Sequence, residues 1–295
     1  MTFMPSPTFL RTLPVSAASG LVRRGDTFYI VADDELALLA LPDAGPARLI
    51  PLLPGVLSET HAERKAQKPD FEALCRWPGD GLLALGSGSK AVRHRGCLLR
   101  PGAKDMSDGT VNVIDMRPLY GSLAAAVPAL NIEGAAVLGD TLVLLQRGNG
   151  KGNRNARVEL DLAGAQRRIA AGEPWDATLV RAIHEIDLGT RGGAPLGFTD
   201  ASPLPDGSLV FVAAAEASPD TYLDGAVTGA AIGLFAADGQ MQWLVDFPEP
   251  AKLEGVHAEL DGDTLRLWLV TDPDDRTRPA DLYTAQLDPR TGAWR

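Results

Sequence analysis

The residues best placed to do chemistry are five polar side chains that recur in one setting. Ser19, Glu72, Glu133, Thr199 and Glu254 open the stretches "ASGLVRRGDTFYIVADDE", "FEALCRWPGDGLLALGSGS", "IEGAAVLGDTLVLLQRGN", "FTDASPLPDGSLVFVAAAE" and "LEGVHAELDGDTLRLWLVTD". Asp200 adds a carboxylate beside Thr199. If the three glutamates share one narrow space, they repel. At a separation of about 6 Å and an effective dielectric near 20, each pair costs roughly 3 kcal/mol, and three pairs cost on the order of 8. That is comparable with the stability of a whole domain. A bound cation, an arginine reaching in, or proton uptake with raised pKa values would offset it. A cation site built from Ser19, Glu72, Glu133, Thr199, Asp200 and Glu254 offers only hard oxygens, which suits Ca²⁺ or Mg²⁺. The other reading makes the glutamates acceptors for backbone N–H groups of neighbouring repeats, as structural clamps.

These residues must be held by a repeating element. Each stretch runs from a short strand through Gly-Asp or Asp-Gly, the signature of a tight hairpin, into a more apolar strand. The five positions are 53, 61, 66 and 55 residues apart, and 60 residues lead from Glu254 through the C-terminus round to Ser19. A hairpin repeat of this length that closes on itself is a β-propeller. The expectation is one all-β domain over residues 1–295, with five four-stranded blades and six as the alternative count. Further strands are predicted between the copies, as in "ELALLALPD", "TVNVIDMRP" and "AIGLFAADG". Only "ADLYTAQLD" clearly follows the fifth copy, so "PTFLRTLPV", residues 7–15, is expected to complete the last blade and close the ring. Short helical turns are expected at 59–68 and 120–127, between blades.

The first strand of each blade lines the channel, so the five polar positions are expected to ring one mouth. Loops after each second strand share that face. Two adjacent ones are basic and carry Lys90, Arg93, Arg147 and Lys151, a candidate site for a small anionic molecule; the others are mainly acidic. "RGNGKGN" lacks the spacing of a P-loop, and "DPDDRTRPADLY" lacks the glycine and glutamate of an EF-hand. The four histidines show no metal-ligand spacing, and no Ser/His/Asp order is evident.

A net charge of −10 argues against a nucleic-acid surface. No run of 18 apolar residues is present, so no membrane span is expected, and the N-terminus is a poor signal peptide. The expected location is the cytoplasm. The two cysteines, Cys75 and Cys97, have no CxxC spacing and are expected on the first and third strands of one blade, as packed thiols.

The repeated "EG" before a strand, in "IEGAA" and "LEGVH", resembles the phytase-like esterase and lactonase propellers. The order Ser19, Glu72, Glu133, a hydroxyl residue, Glu254 resembles the five-bladed calcium-activated nucleotidases, the apyrases. That resemblance implies Ca²⁺ in the channel and hydrolysis of a phosphoester, phosphoanhydride or lactone. The fourth copy departs with "FTDAS", and the secretory leader of the nucleotidases is not expected here. The competing expectation, from a different class, is a non-enzymatic binding propeller with a plugged channel whose face loops contact a partner protein.

Overall fold

The computed structural model describes residues 6–148, 154–217, 225–249 and 251–295. Strand β1 (Thr8–Thr12) comes first. The next four, β2 (Ala18–Arg24), β3 (Thr27–Ala32), β4 (Ala37–Pro42) and β5 (Arg48–Pro51), form blade 1 in sequence order. Helix α1 (His61–Gln67) leads to blade 2, made of β6 (Phe71–Trp77), β7 (Gly81–Gly86), β8 (Arg95–Arg100) and β9 (Thr110–Asp115). Helix α2 (Arg117–Ala126) leads to blade 3, with β10 (Ile132–Leu138), β11 (Thr141–Gln146), β12 (Asn155–Asp161) and β13 (Val180–Ile186). Helix α3 (Leu162–Ala171) is inserted between β12 and β13. Blade 4 joins the two-residue β14 (Thr190–Arg191) to β15 (Ala194–Pro203), β16 (Leu209–Ala217), β17 (Ala226–Phe235) and β18 (Met241–Asp246). Blade 5 holds β19 (Leu253–Asp261), β20 (Thr264–Thr271) and β21 (Asp281–Leu287), and β1 pairs with β21 as its outermost strand. The chain is a five-bladed β-propeller closed by its N-terminal strand, as expected.

Local chemistry sets the hairpins. In blades 1, 3 and 5 the loop between the first two strands is Gly-Asp, and Gly25, Gly139 and Gly262 take φ of +58°, +58° and +60°. A left-handed first position matches the twist of the flanking strands and is cheapest for glycine. Blade faces are apolar and bury against each other. Five clusters result, one between each pair of adjacent blades, anchored by residues such as Trp175, Phe71, Phe211, Leu267 and Ile30. Cys75 on β6 and Cys97 on β8 are buried free thiols, as expected.

Two features differ from the sequence reading. The tail of "ARVELDLAG" turns into helix α3, capped by Asp161, whose carboxylate accepts from the Gly164 N–H at 3.0 Å, and ended by Gly172 at φ +68°. Blade 4 gains the two-residue β14, paired with the start of β15, where four strands were expected. Among the described residues no helix is long and apolar enough to cross a membrane.

Candidate functional site at the channel mouth

Each innermost strand carries one extra residue, a β-bulge, at the same level. Pairing skips Glu72 between Phe71 and Ala73, Glu133 between Ile132 and Gly134, Thr199 between Phe198 and Asp200, and Glu254 between Leu253 and Gly255. In β2 the irregularity falls between Ala18 and Leu21, around Ser19. A bulge re-aims a side chain and leaves the extra residue out of the ladder. The glycine after the bulge follows from crowding. A Cβ on Gly255 would sit 2.1 Å from the Ser19 carbonyl oxygen, and one on Gly20 2.5 Å from the Leu74 nitrogen. The repeated "EG" is therefore a bulge residue followed by the point where neighbouring blades touch.

The residue two before the bulge faces the end of the second strand. Backbone N–H groups of Asp33, Ser87, Arg147 and Asp272 donate to the carbonyls of Ala17, Asp70, Asn131 and Lys252 at 2.9–3.1 Å. These repeated closures bring a second set of polar side chains to the mouth, and the set is largely charged.

The predicted ring residues separate into three groups. The Ser19 hydroxyl donates to Glu72 Oε2 at 2.7 Å. Glu133 and Glu254 share Arg147, whose Nη1 lies 3.4 Å from Glu133 Oε2 and 3.5 Å from Glu254 Oε1. Arg147 also meets Glu216 at 3.0 Å, and Asn131 donates to Glu133. Thr199 and Asp200 are fully buried. Asp200 Oδ2 accepts from the Val256 N–H of blade 5 at 2.9 Å and the Leu21 N–H of blade 1 at 3.2 Å, so it ties three blades together. Thr199 Oγ1 and Asp200 Oδ1 have no hydrogen-bond partner.

The expected anion receptors are placed differently. Arg93 and Arg147 are buried, and their guanidinium groups turn inward because buried carboxylates need them. Arg93 Nη1 is 2.6 Å from Asp70 Oδ2. Lys90 lies on the surface, and Lys151 is outside the described residues.

Residues the sequence reading did not single out complete the network. Lys252 Nζ lies 3.1 Å from Glu216, 3.2 Å from Glu254, 2.7 Å from Asp274 and 3.9 Å from Asp272. Lys68 pairs with Asp33 and, at 2.9 Å, with Asp70. One oxygen from each of Asp33, Asp70 and Glu72 lies within 4.8 Å of the others. A signal existed in the sequence: Asp70, Asn131 and Lys252 each stand two residues before a ring glutamate.

Among the described residues, the carboxylates Asp33, Asp70, Glu72, Glu133, Glu216, Glu254, Asp272 and Asp274 gather around the basic groups Lys68, Arg93, Arg147 and Lys252, eight against four. The imbalance shows in their acidities. Burial, reinforced by Glu133, Asp70 and Asp33 and opposed by Lys68, holds Glu72 well above the usual carboxylate range. Burial raises Glu133 to about 8, with Arg147 opposing and Glu254 reinforcing. Asp33 and Asp272 are also raised, first by burial and against the pull of Lys68 and Lys252 respectively. Glu216 is lowered: burial pushes it up, but Arg147 and Lys252 outweigh that.

A cleft opens above this network between blade 1, α1 and the loop after β20. It holds about 530 Å³ of free space counting its mouth, and its lining includes Asp33, His61, Arg64, Lys68, Asp272 and Arg276. Among the described residues no serine or cysteine is hydrogen-bonded to a histidine; His94 meets the Gly88 carbonyl, and His257 meets Glu259.

Among curated proteins the sequence finds no match. Solved structures that align over most of the chain include a luciferin-regenerating enzyme (12% identity, 95% of this chain and 94% of that chain, TM-score 0.45). A gluconolactonase-like protein aligns with 11% identity over 96% and 93% of the two chains, at a TM-score of 0.44. A glycoside hydrolase-like protein from Parabacteroides distasonis aligns with 12% identity over 96% and 93%, at a TM-score of 0.43. At these values the likenesses carry no argument about site or activity, and none of the three is a nucleotidase or a phytase. A family model does match, over residues 14–287, and the chain belongs to that family, described as "Family of unknown function (DUF6929)".

Proposed function

We propose that this propeller takes up a divalent cation at the channel mouth and through it binds a small anionic molecule in the cleft above. The observation that carries this reading is the close approach of Asp33, Asp70 and Glu72, whose oxygens lie within 4.8 Å of one another, in a network where carboxylates outnumber basic groups among the described residues. Calcium binds oxygens at about 2.3–2.6 Å, so ligands on opposite sides of one ion stand roughly 5 Å apart. The trio fits that span, and Ca²⁺ is favoured over Mg²⁺, whose contacts are about 2.0–2.1 Å and strictly octahedral. Asp33 and Lys68 line the cleft and both pair into the trio's charges, so open coordination positions would face the cleft. There the cation, with Arg64 and Arg276 on the cleft walls, would attract a phosphate or carboxylate. Beyond binding, the chemistry on offer is the cation's own: it polarises an oxygen and acidifies a bound water, the basis of a metal-dependent hydrolase.

A second reading rests on Lys68, which supplies a cation of the protein's own to Asp33 and Asp70. With Asp200 tying blades 1, 4 and 5, the whole ring would then be structural, and function would lie in the face loops as a binding surface for a partner.

Thermal melting of the full chain separates the two. Melting after chelation and again with added Ca²⁺ or Mg²⁺ is expected to show an upward shift with cation. A ligand a hundredfold above its Kd stabilises by about 2.7 kcal/mol. Asp70→Asn, which removes one ligand, is expected to lose most of the shift, and inorganic phosphate is expected to add a further shift only when cation is present. Identical melting with and without cation in the wild type would sink the cation reading and leave the structural one.

A further inference from the structure

Helices α1 and α2 occupy equivalent places, each in the crossover from the outermost strand of one blade to the innermost strand of the next. Their attachments are opposite in kind. Helix α2 buries Leu119, Tyr120 and Leu123, and the Tyr120 hydroxyl donates to the Gly86 carbonyl at 2.8 Å. Helix α1 buries no residue and has no side-chain N-cap bond. Seven residues are far too few to hold a helix by local propensity, since isolated helices shorter than about 12–15 residues are marginal in water. Contacts made by charge must hold it.

Arg64 and Lys68 carry such contacts to blades 1 and 2. Arg64 Nε lies 3.1 Å from Asp34 Oδ2, and its Nη2 donates to the Asp34 carbonyl at 2.6 Å and to Glu35 Oε1 at 3.0 Å. Lys68, at the C-cap, reaches Asp33 and Asp70. Arg276, across the cleft on blade 5, also pairs with Asp34 at 3.4 Å. The helix therefore forms one wall of the cleft through His61, Arg64 and Lys68, fastened at one end to the carboxylates that the cation reading uses.

We propose that α1 is a charge-latched strap over the cleft: Arg64 and Lys68 hold it down, and a divalent cation at Asp33, Asp70 and Glu72 displaces Lys68 and loosens its C-terminal end, leaving Arg64 as the remaining hold. The trigger rests on the cation reading; the latch rests on the pairings of α1 alone. Two cations competing for one carboxylate set cannot both keep close contact, and the lysine, on its flexible stem, is the one able to leave. Occupation of the site would then widen the entrance for the anionic molecule at the moment its binding partner is in place.

Hydrogen exchange on the full chain tests this, with α2 as the internal control. Amides across 58–68 are expected to exchange several-fold faster with saturating Ca²⁺, while those of α2 keep their rate. Arg64→Gln is expected to speed α1 exchange without cation and leave α2 unchanged. If Ca²⁺ raises the melting temperature yet α1 exchange stays the same or slows, the strap is overturned while the cation site stands. If neither melting nor exchange responds to Ca²⁺, the trigger falls together with the cation reading. If Arg64→Gln leaves α1 as protected as in the wild type, the latch itself is refuted.

Discussion

Glu133 is a buried carboxylate in an apolar strand, and Arg147 offsets only part of its cost. Its carboxyl is raised to about 8, first by burial, whereas an unfolded glutamate titrates near 4.3. Between these values the native state keeps a proton that the unfolded state has lost. The stability this contributes is full at low pH and is lost as pH rises through the folded value. Glu133→Gln keeps the shape without the charge, so its stability is expected to vary less with pH, and near about pH 9 it is expected to match or exceed wild type in urea unfolding. Steeper pH dependence in the variant would contradict this. Arg147→Ala is the opposite case. It leaves Glu133, Glu216 and Glu254 with Lys252, which touches only the last two, and a broken buried pair typically costs about 3–5 kcal/mol. A loss under about 1 kcal/mol by the same measurement would mean that Arg147 is not the counterion described. At this scale the sequence revealed Glu72, Glu133 and Glu254, because they repeat in register, but not Asp70, Glu216, Asp272 or Asp274, which do not. It did not reveal Lys68, Lys252 or the inward turn of Arg93 and Arg147. A cation's partner depends on which loop folds over which blade, and no periodicity records that.

The innermost strand with its bulge is the element that matters most. The bulge explains both the polar residue and the small one after it, and it grades the glycines by how closely the next blade approaches. A Cβ on Gly255 would meet the Ser19 carbonyl oxygen at 2.1 Å, and one on Gly134 would meet the Asp200 Cα at 3.1 Å. Gly255→Ala is therefore expected to cost at least about 3 kcal/mol, the upper range for overpacking, and Gly134→Ala clearly less. Equal losses in chemical denaturation would count against the blade-to-blade contact as the cause. Helices were harder to read than strands. Residues 59–68 and 120–127 stood out as interruptions between blades, and helices occupy 61–67 and 117–126, while α3 continues directly from β12 inside one. Its signals, Asp161 as cap and Gly172 as stop, were present but local, and the strand pattern before them dominated.

For the whole molecule, closure was legible because strand candidates had to be counted in fours and one blade came up short. β1 supplies the missing strand through pairings such as Thr8 with Thr284 and Phe9 with Tyr283. Removing residues 1–12 would expose the outer edge of β21, an unprotected template for intermolecular pairing. The truncated chain is expected to melt lower and to self-associate in light scattering; a monomer with wild-type melting would show that the ring does not need this latch. The net charge of −10 is concentrated in part at one mouth, where the surplus carboxylates lie. Calorimetric titration of Ca²⁺ into the chelated wild type and into Lys68→Met tests that surplus most directly. Lys68→Met removes the competing ammonium, so Ca²⁺ is expected to bind both proteins at one site, at least about tenfold tighter in Lys68→Met, a gain of about 1.4 kcal/mol. No heat in either protein, or weaker binding once Lys68 is gone, would contradict a cation site at the channel mouth.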